Sequence, residues 1–253
     1  MKKLICSILL ILLAQTSQAR TNDEIMKSGM LFIGVPGDYA PLAFFNENGR
    51  LTGFDVDMAK NLAKTMKLTP VFVLSSWPTL SADLAADNFD IAMGGVTYTN
   101  GRAQQFLLSE SVVPNGKIAL ASCQSAPKLT DIDAINQEDV RVVVNPGGTN
   151  ESFVNGNIHT AQIIRVKDNF DNIQALRDKT ADMMVTDLIE GMYYEHNEPG
   201  VLCMATTKPF AGTESYKVYM LKKENPELLQ TINNWLNEVN KDELLEKWGI
   251  KAH

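Results

Sequence analysis

Apolar residues along this chain follow two rhythms that alternate. Short runs rich in β-branched and aromatic residues, at 31–35, 70–74 and 90–93, read as strands. Between the first two runs, Met58, Ala59, Leu62, Ala63 and Met66 recur at the spacing of one helix face. Trp77-Pro78 opens the next helix, with proline near its first turn. The order is β-α-β-α-β, the signature of a mostly parallel sheet. The same order restarts at 140–144 and continues through a helix from about residue 149, a strand at 163–166, a helix over 169–177 and a strand at 181–186. A polar stretch over 125–139 lies early in this second unit. A further strand at 216–221 and amphipathic helices at 228–239 and 244–248 close the chain. Two similar units predict two α/β lobes, one of residues 24–118 and 213–253, the other of 119–212. Ligands of such folds sit outside the carboxyl ends of the strands, here in the cleft between lobes.

The first nineteen residues have another pattern. Lys2 and Lys3 precede an apolar run over 4–14, and Ser17-Gln18-Ala19 supplies small residues for a cleavage point. The run is shorter than the roughly 20 residues of a membrane-spanning helix, and no later segment is apolar for that long. Residues 1–19 therefore read as a cleaved secretory signal that leaves Arg20 at the new N-terminus. Cys6 lies inside the run, which argues against a lipid anchor on the mature end. Cys123 and Cys203 remain. An oxidising compartment and an even count favour a disulfide over two separate thiols.

With 45% hydrophobic and 21% charged residues over 253 positions, the chain is globular in composition and long enough to bury a core in each lobe. Losing Lys2 and Lys3 takes 23 basic residues to 21 against 30 acidic ones, a net charge of about −9. A field of that sign does not attract nucleic acid or an anionic membrane, so an anionic ligand must be captured by local groups.

There is no phosphate-binding Gly-x-x-x-x-Gly-Lys loop, no Gly-x-Ser-x-Gly elbow and no histidine pair at metal spacing; His159, His196 and His253 are scattered. Three segments have chemistry to offer. Gly94-Gly95-Val96-Thr97-Tyr98-Thr99-Asn100-Gly101-Arg102 follows a strand and sets a guanidinium beside glycines whose N–H groups a carboxylate can approach. An exposed arginine at a helix start accounts for the same letters. Asn145-Pro146-Gly147-Gly148-Thr149-Asn150-Glu151 joins a strand to a helix N-terminus, where unpaired N–H groups attract anions, or where the chain merely turns. Asp187 and Glu190 stand three apart at the start of a helix, facing the cleft or serving only the helix dipole. Lys117 and Lys217 bound the two crossings between lobes.

At these positions the mature chain resembles the periplasmic solute-binding proteins that receive polar amino acids for ABC transporters, through Gly37-Asp38-Tyr39-Ala40-Pro41, Gly53-Phe54-Asp55-Val56-Asp57, Gly95-Val96-Thr97 with Arg102, and Gly148-Thr149. More narrowly it resembles the cyclohexadienyl dehydratases, exported enzymes on the same fold. That likeness rests on Gly37-Asp38-Tyr39, Ser76-Trp77-Pro78, Phe89-Asp90-Ile91-Ala92-Met93, Asn115-Gly116-Lys117, the Asn145 to Glu151 segment, Thr186-Asp187 with Glu190, Leu202-Cys203 and Lys208-Pro209-Phe210. The pair Cys123 and Cys203 also matches. The resemblance implies a two-lobed, type 2 periplasmic-binding-protein fold and an enzyme that converts prephenate to phenylpyruvate and arogenate to phenylalanine, expelling carbon dioxide and water. It implies that Arg102, Thr97 and the Gly148-Thr149 backbone hold a carboxylate, that Asp187 faces the amino group of arogenate, and that Glu190 is the general acid. Asp38, Asn145 and Lys117 join Glu190 in the catalytic set, while Trp77 and Lys217 line the remaining pocket. Aromatisation drives the loss of carbon dioxide, so the resemblance implies neither metal nor organic cofactor. One segment departs: Leu108-Ser109-Glu110-Ser111-Val112 stands where these enzymes have Phe-Ser-x-Pro-Tyr, which is expected to alter the cleft wall. A receptor for an amino acid remains the alternative, since one fold hosts both functions.

Overall fold

The computed structural model describes residues 20–250, so the expected signal segment with Cys6, and His253, lie outside the described residues. Two five-stranded sheets share one plan. The first runs in the order Thr69–Leu74, Met30–Val35, Ile91–Ala92, Met220–Leu221, Leu107–Leu108; its first three strands are parallel and Met220–Leu221 is antiparallel to both neighbours. The second runs Gln162–Arg165, Arg141–Val144, Met183–Asp187, Lys117–Ser122, Leu202–Met204, with the same change from parallel to antiparallel after the third strand. The chain crosses between the sheets along Val113–Asn115 and returns along Ser215–Lys217, and these two segments pair into an antiparallel ribbon. Each sheet has its own apolar core.

Local sequence explains most element ends. The helix expected around Met58 is Phe54–Thr65, and it starts at Gly53 because that residue has φ +132° and a Cβ there would lie 2.2 Å from the Leu42 carbonyl oxygen. The helix Asn169–Arg177 begins where the Asp168 carboxylate accepts the Asp171 N–H. The helix Pro226–Glu238 turns Leu228, Ile232, Trp235 and Leu236 onto the core of the first sheet, returning the chain end to that lobe.

Two expectations need correction. Trp77-Pro78 does not open a helix, because the Ser76 carbonyl takes the N–H groups of Thr79 and Leu80 in a turn and the helix is Leu80–Ala85. The strand expected at 216–221 is two: Ser215–Lys217 pairs in the crossing ribbon and Met220–Leu221 in the first sheet. Periodicity alone also missed the strand Lys117–Ser122, which is buried along its whole length, and the small sheet of Asp38–Tyr39, Ala43–Phe45 and Leu51–Thr52.

Cys123 and Cys203 form a disulfide across a sequence separation of 80 residues, tying the strand Leu202–Met204 to the chain just beyond Lys117–Ser122. Closing a span of that length removes about 4 kcal/mol of unfolded-state entropy. Reduction is therefore expected to lower the unfolding free energy by about that amount, read as a lower denaturation midpoint in urea with reductant than without.

Candidate functional site

Tyr39, Trp77, Gly95, Thr97, Arg102, Asn145, Gly147, Gly148, Thr149, Asn150, Asn169 and Asp187 line a narrow cavity between the lobes, whose empty space is about 350 Å³ with its opening to solvent included. They come from both sheets, mostly from the turns that follow strands. Thr99 starts the helix Asn100–Gln105 by accepting the Arg102 N–H, so the Arg102 side chain rises from its first turn. The guanidinium donates to the Thr97 carbonyl at 2.7 Å. Burial pulls its pKa down, and Asp187 counters that.

On the opposite wall, Gly147 precedes the helix Gly148–Asn157 and has φ +79°. A Cβ on Gly147 would lie 2.5 Å from the Pro78 nitrogen of the other lobe, so only glycine permits this approach. Gly147→Ala is expected to hold the lobes apart and weaken ligand affinity by about tenfold or more, the cost of a clash worth roughly 1–3 kcal/mol. Small-angle scattering with and without ligand, alongside calorimetry, reads both effects.

Asp187 ends the strand Met183–Asp187 and is 2% exposed. Its Oδ1 accepts from Asn115 Nδ2 at 2.8 Å and Lys117 Nζ at 2.7 Å, and its Oδ2 from Lys217 Nζ at 2.6 Å and the Tyr39 hydroxyl at 2.5 Å. Burial by itself raises its pKa, but the two ammonium groups outweigh that and hold the carboxyl far below the usual range. Lys117 also donates to Thr149 Oγ1 at 2.6 Å and to Asn150 Oδ1. Burial pushes the Lys117 pKa down, and Asp187 offsets part of the shift. Lys217 donates to the Gly95 carbonyl and to Thr97 Oγ1, both at 3.0 Å, and stands 4.9 Å from the centre of the Tyr39 ring.

Glu190 belongs to a different layer. It is 0% exposed, lies in the first turn of the helix Leu188–Asn197, and does not line the cavity. Its Oε1 accepts from Asn169 Nδ2 at 2.6 Å, and its Oε2 is hydrogen-bonded to the Thr186 hydroxyl. Burial raises its pKa to about 8, against the lowering effect of those two bonds, so it is mostly protonated at neutral pH. Asp38, raised in pKa by burial, accepts from the Trp77 indole at 2.9 Å and from the Asn169 N–H at 3.0 Å. Asn145 accepts from Asn172 Nδ2 at 2.6 Å.

Of the residues singled out from sequence, Trp77, Thr97, Arg102, Asn145, Gly148, Thr149 and Asp187 line the cavity. Asp38, Lys117, Lys217 and Glu190 stand behind it, each bonded to a lining residue. Two expectations change. Asp187 is not open to a ligand's amino group, because two protein ammonium groups already occupy its oxygens. The departure at Leu108 to Val112 does not touch the cavity: Ser109 accepts the Tyr219 N–H and Val112 packs into the core of the first sheet. Sequence reading missed Tyr39, Asn115, Asn169 and Asn172 as working parts. A buried run of asparagines near a cleft is a signal only once burial is known. His159 and His196 are exposed, and among the described residues no group of three or more His, Cys, Asp or Glu is arranged to hold a metal ion.

Residues 31–251 match the model of the bacterial extracellular solute-binding proteins, family 3. The chain is 34% identical over 244 residues to the cyclohexadienyl dehydratase of Pseudomonas aeruginosa, covering 96% of this chain and 90% of that protein. It is 26% identical over 231 residues to the L-cystine-binding protein TcyJ of Escherichia coli K12, covering 89% and 85%. Among solved structures, the ancestral amino acid-binding protein AncCDT-1, a precursor of cyclohexadienyl dehydratase, superposes with a TM-score of 0.81 at 34% identity, covering 89% of this chain and 98% of that one.

Proposed function

The chain belongs to the bacterial extracellular solute-binding proteins, family 3, and within that family we propose that it is a cyclohexadienyl dehydratase acting on prephenate. The state of Asp187 carries this reading. A receptor for a zwitterionic amino acid needs a carboxylate free to take the ammonium group, and here Lys117 and Lys217 fill that place. Arg102 at the cavity wall, with Lys117 and Lys217 behind it, outnumbers the carboxylates of Asp187 and Asp38 and leaves the site with an excess of positive charge. Prephenate brings two carboxylates, whereas arogenate replaces the ketone of one side chain with an ammonium. The likeness to the Pseudomonas aeruginosa enzyme supports the same reaction.

In this reading one carboxylate of prephenate meets Arg102 and the N–H groups at the start of the helix Gly148–Asn157. Glu190, neutral before the reaction and hydrogen-bonded to the cavity-lining Asn169, is the source of the proton that the ring hydroxyl takes as the carbon–oxygen bond breaks. The electron pair of the bond to the ring carboxylate moves into the ring, and carbon dioxide, water and phenylpyruvate leave. Glu190 is left as a carboxylate and recovers its proton from solvent. Closure would pivot on the crossing ribbon, between lobes taken as residues 24–118 with 213–253 and 119–212. The apolar start of the chain and the Cys123–Cys203 disulfide support export to the periplasm. Among the described residues no helix is long and apolar enough to cross a membrane.

The test is to incubate the purified chain lacking residues 1–19 with prephenate and with arogenate and to follow phenylpyruvate and phenylalanine. Turnover is expected with prephenate, and kcat/KM is expected to favour it over arogenate by about tenfold or more, the factor that 1.4 kcal/mol of charge mismatch produces. Tight binding of an amino acid with no turnover of either compound would replace this reading with the receptor.

A further inference from the structure

We propose that Asn169 is a positioning residue that ties closure of the lobes to the placement of the acid proton: with Asp38 of the opposite lobe seated on it, its amide claims Oε1 of Glu190 as an acceptor and leaves the proton on Oε2, beside Thr186. This rests on the reading of Glu190 as the proton donor.

The hydrogen bonds favour one arrangement. Asn169 is 2% exposed and lines the cavity in front of Glu190. Its Nδ2 faces both the Asp38 carbonyl oxygen, at 3.2 Å, and Glu190 Oε1, at 2.6 Å. A backbone carbonyl only accepts, so the group between these two oxygens is the amide NH₂, and both of its N–H bonds are spent as donors. The amide oxygen is turned the other way, where it accepts from Asn172 Nδ2 at 3.2 Å. In a neutral carboxyl the carbonyl oxygen is the stronger acceptor, so the short Asn169 N–H bond favours the carbonyl at Oε1. The proton sits on Oε2, which is hydrogen-bonded to the Thr186 hydroxyl.

The lock comes from the other lobe. Asp38 lies in the small sheet packed with the first lobe, and it holds Asn169 twice, through the Asn169 N–H to Oδ2 at 3.0 Å and through the carbonyl contact. Opening the lobes breaks both bonds and frees the amide to rotate. Closure around a substrate thus sets which oxygen of Glu190 carries the proton, and once it is lost the new carboxylate finds donors already in place at both oxygens. The ionisable groups around Glu190 are Asp187, Asp38, Tyr39 and Tyr194, and none of them offers a donor to Oε1 that could substitute for Asn169.

Infrared difference spectroscopy between neutral and alkaline pH reads the proton directly, with Glu190→Gln identifying the carbonyl band of the protonated acid. In the parent that band is expected at the low frequency of a hydrogen-bonded carbonyl. Asn169→Leu keeps the volume and removes the donor. It is expected to move the band to the higher frequency of a free carbonyl and raise the pH at which it disappears. In the same variant kcat should fall about tenfold or more, part of the ~10²–10⁴-fold that a general acid contributes, and by a larger factor than any rise in KM. A free-carbonyl band in the parent overturns the proposal without any variant. So does a band unmoved by Asn169→Leu, or a loss confined to KM. A parent that shows the expected band but does not turn over prephenate removes the dehydratase reading while the proton placement stands.

Discussion

Glu190→Gln is expected to abolish prephenate turnover, by about 10²–10⁴-fold, while leaving substrate affinity within a few-fold of the parent. The amide matches the size of the acid, and its oxygen can accept the Asn169 N–H as Oε1 does now. It has no proton to give to the departing hydroxyl. In the proposed reading binding falls to Arg102 and the helix start at Gly148, which line the cavity and which the substitution does not touch. The parent should also lose activity as pH rises through about 8, the pKa to which burial raises Glu190, because only the protonated form donates. The same raised pKa lowers folding stability on the alkaline side. The folded acid holds its proton between the unfolded value of 4.5 and about 8, so stability from this group is full below 4.5 and declines as pH rises through that window. Asp187, held low by its lysines, works in the opposite direction and adds stability above its ordinary value of 3.8. Stopped-flow or steady-state rates from pH 6 to 10, with calorimetric affinity for prephenate in the variant, check both statements. An activity equal to the parent's would remove Glu190 from the reaction.

Arg102→Ala is expected to weaken prephenate binding by roughly 2–5 kcal/mol, the cost of leaving a desolvated carboxylate without its partner. The structure explains why no neighbour can take over. Lys117 and Lys217 are committed to Asp187, and Lys117 further to Thr149. Arg102 spends one N–H on the Thr97 carbonyl, a bond that aims the guanidinium into the cavity. A planar fork held in that way binds both oxygens of a carboxylate, which a lysine at the same position cannot do. Arg102→Lys should therefore recover only part of the affinity. Calorimetry on the two variants reads the difference, and an unchanged affinity in Arg102→Ala would remove the arginine from substrate binding.

The positions of the candidate anion-binding groups were legible because those groups are local. Arg102 sits in the first turn after Thr99, and Gly147, Gly148 and Thr149 are consecutive at one helix start. Such groups are set by a strand end and a cap, and both leave marks within a few letters. The partners of Asp187 leave no such mark. Lys117 and Lys217 lie 70 and 30 residues from it in sequence, and either alone would leave it open to a ligand's ammonium group. The departure at Leu108 to Val112 misled for a related reason: it is close in sequence to Arg102, but the chain turns away and carries Val112 into the core.

By itself the sequence determined the two α/β units, since strand and helix periods survive in the letters wherever one face is buried, and it determined the short segments able to hold an anion. Only the tertiary structure decided the interruption of the last strand, the pairing of the crossings into one ribbon, and the meeting of Asp38 with Asn169 and of Lys117 and Lys217 with Asp187. Those contacts join residues from opposite lobes or distant strands. Burial of Glu190 at 0% exposure is likewise a property of what packs around it, and with burial comes the raised pKa that lets a carboxylic acid keep its proton at neutral pH.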